Sequence, residues 1–185
     1  MQPILTDIKY FSKEPLYIEQ ALENNGMPAD LFEATIAAFS NAWVDYERKY
    51  LRLLLGKDLR DEFYVKSELP VWEDLKALLW QTEEASNPNS PRVFTESPVA
   101  DYIYFWYTSD HSAVYNGQVL RQAKVDSATT IQVVQKQVWV WGRMKENTLI
   151  AMAWLDANYS KMGAAAALDK TEWPKLLTNY NSFGI

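Results

Sequence analysis

One short stretch of the chain carries the residue types of a serine-nucleophile site. Asp110-His111-Ser112 places an acid, a base and a hydroxyl in direct succession. A catalytic triad needs a hydrogen bond from Ser to His and another from His to Asp, and consecutive residues rarely allow that geometry. Asp, His and Ser are also ordinary turn residues. We therefore assign no catalytic residue and predict a polar loop site at Asp110 and His111, where His111 could act alone as a general base or a pH-sensitive contact.

Carboxylates occur as adjacent pairs in the first half of the chain, at Asp61-Glu62, Glu73-Asp74 and Glu83-Glu84. Neighbouring residues on a helix point about 100° apart, so these pairs are not preformed acid–base couples. The pattern favours solvated helix faces or, alternatively, a patch that steers a basic protein partner. The acidic residues predicted to form that patch are Asp58, Asp61, Glu62, Glu68, Glu73, Asp74, Glu83 and Glu84.

Aromatic residues occupy five of the six positions from Tyr102 to Tyr107. If this run is a strand, alternation places Tyr102, Tyr104 and Trp106 on one face. Phenol and indole groups suit a half-exposed surface and are enriched at interface hot spots. The three side chains are therefore candidate partner contacts, and the alternative is a central strand that is covered on both faces.

The composition excludes several kinds of site. The 185 residues include no cysteine and one histidine, which excludes disulfide frameworks, thiolate metal centres and any site built from two histidines. The six glycines are scattered singly, so the chain has no Gly-rich phosphate loop. We expect neither a metal site nor a cofactor.

Acidic side chains are concentrated in the first half of the chain. The net charge is −6, with 16 acids and 9 bases in residues 1–86 against 8 acids and 9 bases in residues 87–185. Phosphate backbones and anionic membranes repel a net negative chain, so we expect neither a nucleic-acid nor a membrane partner. A basic protein surface would be attracted instead.

The expected location is the cytoplasm. The N-terminal sequence MQPILTDIKYF has no basic segment followed by an apolar run of ~7–15 residues, which indicates no secretory signal. The longest apolar run, over 149–155, has seven residues and falls short of the roughly 20 that span a bilayer.

The first half of the chain has the periodicity of helices. From Ala29 to Leu55 apolar residues recur at steps of three and four, which predicts a long amphipathic helix that ends at Gly56. On its outer side, Asp45 and Lys49 have the spacing of an i,i+4 ion pair. Shorter helices are expected over 15–25, 57–66 and 69–84.

The second half has the composition of strands. Residues 99–107 and 129–141 are rich in aromatic and β-branched side chains, which favours strands. The dipeptide Asn116-Gly117 is a strong hairpin signal. Residues 148–155 fit either a strand or a helix.

Together these segments predict one α+β domain over residues 1–185. The helices of residues 1–85 would cover one face of an antiparallel β-meander over 99–156, and a C-terminal helix would occupy 164–181. The Pro-rich connector 86–98 is either a flexible linker or a strap across the fold. Val93 and Phe94 favour the strap, because they give it apolar side chains to bury.

Three hypotheses describe the function. The first is a non-enzymatic acidic interaction protein, of an inhibitor or immunity type, that blocks a basic partner through its acidic helices and exposed Tyr and Trp. The second is a small-molecule-binding domain or enzyme, with a pocket of Tyr, Trp and carboxylates between sheet and helices. The third is a structural or assembly subunit. The absence of familiar catalytic motifs and the acidic first half favour the first.

Overall fold

Helices dominate the part of the chain that the structure describes. The computed structural model describes residues 5–6, 8–12, 14–18, 29–83, 93–111, 113–116, 119–122 and 127–179. The α-helices are α1 (Ala29–Leu55), α2 (Lys57–Lys66), α3 (Glu73–Leu79), α4 (Pro98–His111), α5 (Ser127–Asn158) and α6 (Trp173–Leu176). Short 3₁₀ turns lie at Ile8–Phe11, Pro70–Trp72 and Tyr159–Lys161.

Two short antiparallel ladders accompany the helices. The first pairs β1 (Gln81–Glu83) with β2 (Val93–Glu96), and the second pairs β3 (Ala113–Asn116) with β4 (Val119–Gln122). Neither ladder gains a third strand within the described ranges. The predicted antiparallel sheet over 99–156 is therefore wrong, and the fold class is helical rather than α+β.

The segment predicted as an aromatic strand is helix α4. Ser97 precedes the helix, its Oγ accepts a hydrogen bond from the backbone N–H of Ala100 at 3.1 Å, and Pro98 occupies the first turn. Every residue from Val99 to Phe105 is buried. A helix that is covered on all sides is apolar all round, so the aromatic and β-branched residues mark burial here and not a strand.

The second run predicted as a strand, 129–141, lies inside helix α5. On a helix Trp139 and Trp141 point in different directions, and they are 51% and 2% exposed. The ambiguous residues 148–155 are helical too. None of the described helices, α5 included, combines the length and the apolar composition that crossing a membrane would require.

The core forms where α4 packs against α1 and α5. The Tyr50 ring of α1 lies edge-on to the Tyr102 ring of α4, with 5.5 Å between the ring centroids. The Phe105 ring of α4 lies 4.6 Å from the Trp141 ring of α5. A buried ion pair crosses the same interface, because Arg143 Nε donates to the carboxylate of Asp101 at 2.8 Å.

The helices predicted in the first half are borne out at α1 and α2, whose bounds match the expected ranges. Gly56 joins them with a φ of +81°, a conformation that favours glycine. The helix expected over 69–84 is shorter, since the turn at Pro70–Trp72 and α3 are followed by strand β1. Of the range 15–25, residues 15–18 are not helical and the rest lies outside the described residues.

The C-terminal helix predicted over 164–181 is reduced to α6 within residues 164–179, and residues 180–181 lie outside the described part of the chain. Residues 164–172 carry no helix; instead their backbone makes tertiary hydrogen bonds, such as the one from the N–H of Asp169 to the carbonyl of Leu55 at 3.3 Å. We call residues 164–179 the C-terminal segment. The first part of the Pro-rich connector, 86–92, lies outside the described residues, and its last residues form β2 and the start of α4.

Substitution of Leu155 tests the helical core. Leu155 is fully buried on α5, whereas Leu149 on the same helix is 49% exposed. Leu155→Ala removes buried methyl groups and leaves a cavity, so we expect the free energy of unfolding to fall by about 2–5 kcal/mol. Leu149→Ala is the control, with an expected change within about 0.5 kcal/mol. Urea unfolding followed by circular dichroism measures both, and equal losses would contradict the packing of α5.

Candidate binding cleft

The polar residues predicted as a loop site lie at the end of helix α4. Asp110 is exposed, and its carboxylate accepts a hydrogen bond from the hydroxyl of Tyr46 on α1. Burial and the neighbouring carboxylate raise the pKa of Tyr46 above its ordinary value. His111 is the last residue of α4, and its side chain lies outside the described part of the chain. Asp110 thus links two helices.

The acidic residues predicted as one patch have different surroundings. Asp58, Glu68 and Asp74 are exposed. Asp61 pairs with Arg60 at 2.5 Å and Glu73 pairs with Lys76 at 3.1 Å, so basic neighbours offset both charges. The side chains of Glu83 and Glu84 lie outside the described part.

Glu62, a further member of the predicted patch, binds backbone of its own chain. Its carboxylate accepts hydrogen bonds from the N–H groups of Ala165 at 2.9 Å and Ala166 at 2.7 Å, and from Lys66 Nζ at 2.8 Å. Lys66 and these two N–H groups lower the pKa of Glu62 to about 2. Glu62 therefore anchors the start of the C-terminal segment to α2.

The three aromatic candidates do not form an exposed platform. Tyr102 and Tyr104 are 1% and 6% exposed, and Trp106 is half-buried. On helix α4 they do not share one face as they would in a strand, and Tyr104 faces Lys136, whose Nζ lies 5.2 Å from its ring centroid. The expectation that they share one exposed strand face is therefore wrong, and partner contact by these three residues stays a prediction.

A cleft of about 430 Å³ lies beside two of these rings. Its walls come from helices α1, α4 and α5 and from the C-terminal segment, and the residues that line it are Lys49, Arg52, Leu53, Tyr102, Trp106, Trp141, Glu172, Lys175 and Thr178. A cleft of this volume matches the size of small-ligand sites. The pocket expected between sheet and helices is thus corrected to one among helices.

The floor of the cleft is aromatic. The ring centroid of Tyr102 lies 6.1 Å from that of Trp106 and 6.1 Å from that of Trp141. The two indoles are 6.3 Å apart and nearly perpendicular, at 88°. Because Tyr102 and Trp141 are buried in the core, this floor is held by the packing of α4 against α5, and half-buried Trp106 continues it towards solvent.

The rim of the cleft is cationic. Lys49 and Arg52 come from α1 and Lys175 comes from the C-terminal segment, against one carboxylate, Glu172, which pairs with Lys175. The lining residues therefore carry a net charge of +2, opposite in sign to the −6 of the whole chain. The cleft is a local reversal of the charge of the protein.

Lys49 interacts with an aromatic ring and not with the expected acid. Its Nζ lies 4.8 Å from the centroid of the Trp106 ring, a cation–π distance. The ion pair predicted between Asp45 and Lys49 is not among those formed by the described residues. The ammonium group is thereby held at the mouth of the cleft.

Two indole N–H groups hold the C-terminal segment in place as a wall. Trp173 Nε1 donates to the carbonyl of Leu54 at 2.8 Å, and Trp141 Nε1 donates to the carbonyl of Thr178 at 2.7 Å. Gly56 allows the segment to approach closely, because a Cβ at this position would lie 2.5 Å from the Cβ of Asp169. Glu172 and Lys175 are positioned by these contacts.

Sequence reasoning missed the rim of the cleft. Lys49 and Arg52 lie one turn apart on a helix that the sequence predicts, next to Leu53, and that spacing is a readable signal for two neighbouring cations. Lys175 is remote in sequence, and the sequence carries no signal that it approaches α1.

The substitution Glu62→Gln tests how the C-terminal segment is anchored. The folded-state pKa of about 2 lies below the ordinary 4.5, so the unfolded chain takes up the proton first as the pH falls. The stability that Glu62 contributes is therefore complete above about pH 4.5 and is lost as the pH falls towards 2. We expect the wild type to be more stable than the variant at neutral pH, by a margin that shrinks through this window.

Urea unfolding over a pH series measures this margin. Glu73→Gln is the matched control, since Glu73 is exposed and touches no backbone N–H of the C-terminal segment among the described hydrogen bonds. A margin for Glu62→Gln that stays constant across the window would contradict the assignment.

Comparison of the chain with protein-family models, with curated proteins and with solved structures gives no match. The inhibitor or immunity type expected from the sequence has no support in these comparisons, and the α+β architecture expected with it is wrong. These comparisons therefore assign no function to the chain.

Proposed function

We propose that the protein is a binding domain for a small organic molecule, held in the cleft among α1, α4, α5 and the C-terminal segment. The observation that supports it is the meeting of an aromatic floor and a charged rim in one cavity of about 430 Å³. Small-ligand sites combine a largely apolar lining with a few placed polar groups. Here the rings and Leu53 supply the apolar lining, and the side chains of the rim supply the polar groups.

The floor is ordered by contacts that do not involve a ligand. Tyr102 packs against Tyr50 in the core, and Trp141 packs against Phe105 and donates to the backbone of Thr178. A lining whose rotamers are already restrained loses less conformational entropy when a ligand binds. The arrangement therefore favours binding without a large rearrangement.

Binding, and not catalysis, is the proposed activity. General acid–base chemistry uses two titratable groups whose surroundings separate their pKa values. The lining of the cleft holds no pair of carboxylates, since its one carboxylate, Glu172, is engaged by Lys175, and the lining residues Lys49 and Tyr102 are assigned to binding. The cytoplasmic location expected from the sequence stays a prediction.

Filling the cleft without changing its charge tests the proposal. Leu53 lines the cleft and is half-buried, so Leu53→Trp adds an indole to the cavity. In saturation-transfer-difference NMR with a library of aromatic and aliphatic fragments, we expect binding to the wild type and its loss in this variant. Leu149→Trp, on the exposed face of α5, is the control and should keep the binding. Absence of any bound fragment, or equal binding to both variants, would refute the proposal.

A second candidate is an acidic interaction protein that uses a different surface from the one expected. Val65 of α2 is 82% exposed and Leu69 is 47% exposed. Exposed Glu68 lies between them in the chain, and exposed Asp58 lies about two helical turns before Val65 on α2. Apolar side chains within a charged rim resemble the anatomy of a protein interface, and the acids would complement a basic partner.

The double substitution Val65→Ser with Leu69→Ser tests this second candidate. We expect a basic protein from the source cells to be retained by the wild type and by the control Leu149→Ser, and to be lost from the double variant. The retained protein should elute at about 1 M salt, where the Debye length is ~3 Å. If the wild type, the control and the double variant retain the same proteins, or if salt does not elute them, this surface is not the binding site.

A further inference from the structure

We infer that the ligand of the cleft is a flat organic anion, that is, an aromatic ring that carries a phosphate or a carboxylate group. The inference rests on the proposed function and adds the chemical class of the ligand. The charge of the rim indicates that the ligand is an anion, and the rings of the floor indicate that it is aromatic.

Two of the three cations at the rim lie outside the ion pairs that the described residues form. None of the ion pairs among the described residues includes Lys49 or Arg52, although acids outnumber bases in the chain. The two cations lie one turn apart on α1, a spacing at which like charges repel mildly. An anion between them would relieve this repulsion, whereas a cationic ligand would increase it.

The rim cations offer the donors that an acidic group needs. A guanidinium presents a planar fork of N–H groups that matches phosphate or carboxylate, and an ammonium acts as a compact charge. Arg52 and Lys49 supply one of each from α1, whereas Lys175 of the C-terminal segment is paired with Glu172. A phosphate or carboxylate at the mouth of the cleft would therefore meet a guanidinium and an ammonium from α1.

The floor favours a ring over an aliphatic or sugar ligand. Tyr102, Trp106 and Trp141 line the cleft, and aromatic rings favour offset or edge-to-face packing with another ring. A sugar would need several hydrogen-bond partners, and the one carboxylate of the lining, Glu172, is already paired with Lys175. A ring with one acidic substituent satisfies both the floor and the rim.

Isothermal titration calorimetry with four probes tests the class. The probes are 2-naphthyl phosphate, 2-naphthoate, 2-naphthol and inorganic phosphate, which separate the ring from the charge. We expect at least one of the two naphthyl anions to bind roughly tenfold or more tightly than either 2-naphthol or inorganic phosphate, as for hydrogen bonds to charged groups. The naphthyl anion that binds more tightly of the two shows whether the cleft prefers a phosphate or a carboxylate group.

Substitutions of the rim cations test whether they bind the acidic group of the ligand. Lys49→Gln and Arg52→Gln should each weaken binding of the preferred naphthyl anion by roughly tenfold, and they should leave 2-naphthol unchanged. Lys161→Gln is the matched control, because Lys161 is an exposed lysine that does not line the cleft. Circular dichroism confirms that each variant is folded.

The outcomes separate this inference from the function on which it rests. Tighter binding of 2-naphthol than of both anions, or rim variants that change nothing, would overturn the anionic class and leave the binding cleft in place. If fragments bind the wild type and are lost in Leu53→Trp, but no naphthyl probe binds, the anionic class is likewise overturned and the binding cleft stands. If neither fragments nor probes bind, both the class and the function fail.

Discussion

A buried ion pair between Asp101 and Arg143 joins α4 to α5. Asp101 is fully buried near the start of α4, and removing a carboxylate from water is costly unless a partner charge and hydrogen bonds compensate. Arg143 donates to both carboxylate oxygens, from Nε at 2.8 Å and from a second guanidinium nitrogen. Loss of one partner from such a pair costs about 3–5 kcal/mol. The same two helices supply the rings of the cleft floor, so the pair also holds that floor together.

How much of the fold is predictable from sequence depends on whether a helix has one buried face. Helix α1 carries its apolar residues in a single stripe, and its predicted bounds match the structure. Helix α4 is buried on every side from Val99 to Phe105, so it has no stripe, and its Tyr, Ile and Phe content resembles that of a strand. The pair Ser97-Pro98 is a helix-start signal in the sequence. It is better evidence for a helix here than the residue composition is for a strand.

The candidate site was less predictable than the fold, because tertiary contacts assemble it. Aromatic residues of α4 stood out in the sequence, yet two of them serve the cleft as floor rather than as an exposed platform. Lys49 and Lys175 lie far apart in the chain, and the contacts that hold the C-terminal segment near α1 run from an indole of Trp173 and a backbone N–H to carbonyls of α1. Neither contact has a signature in sequence spacing.

The short junction between α1 and α2 touches the segment that forms one wall of the cleft. Gly56 combines a φ of +81° with a Cβ position only 2.5 Å from the Cβ of Asp169, so one added methyl group would push Asp169 away from α1. Glu172 and Lys175 follow Asp169 closely in the chain and would move with it. A substitution at Gly56 would therefore change the shape of the cleft although Gly56 is not one of the residues that line it.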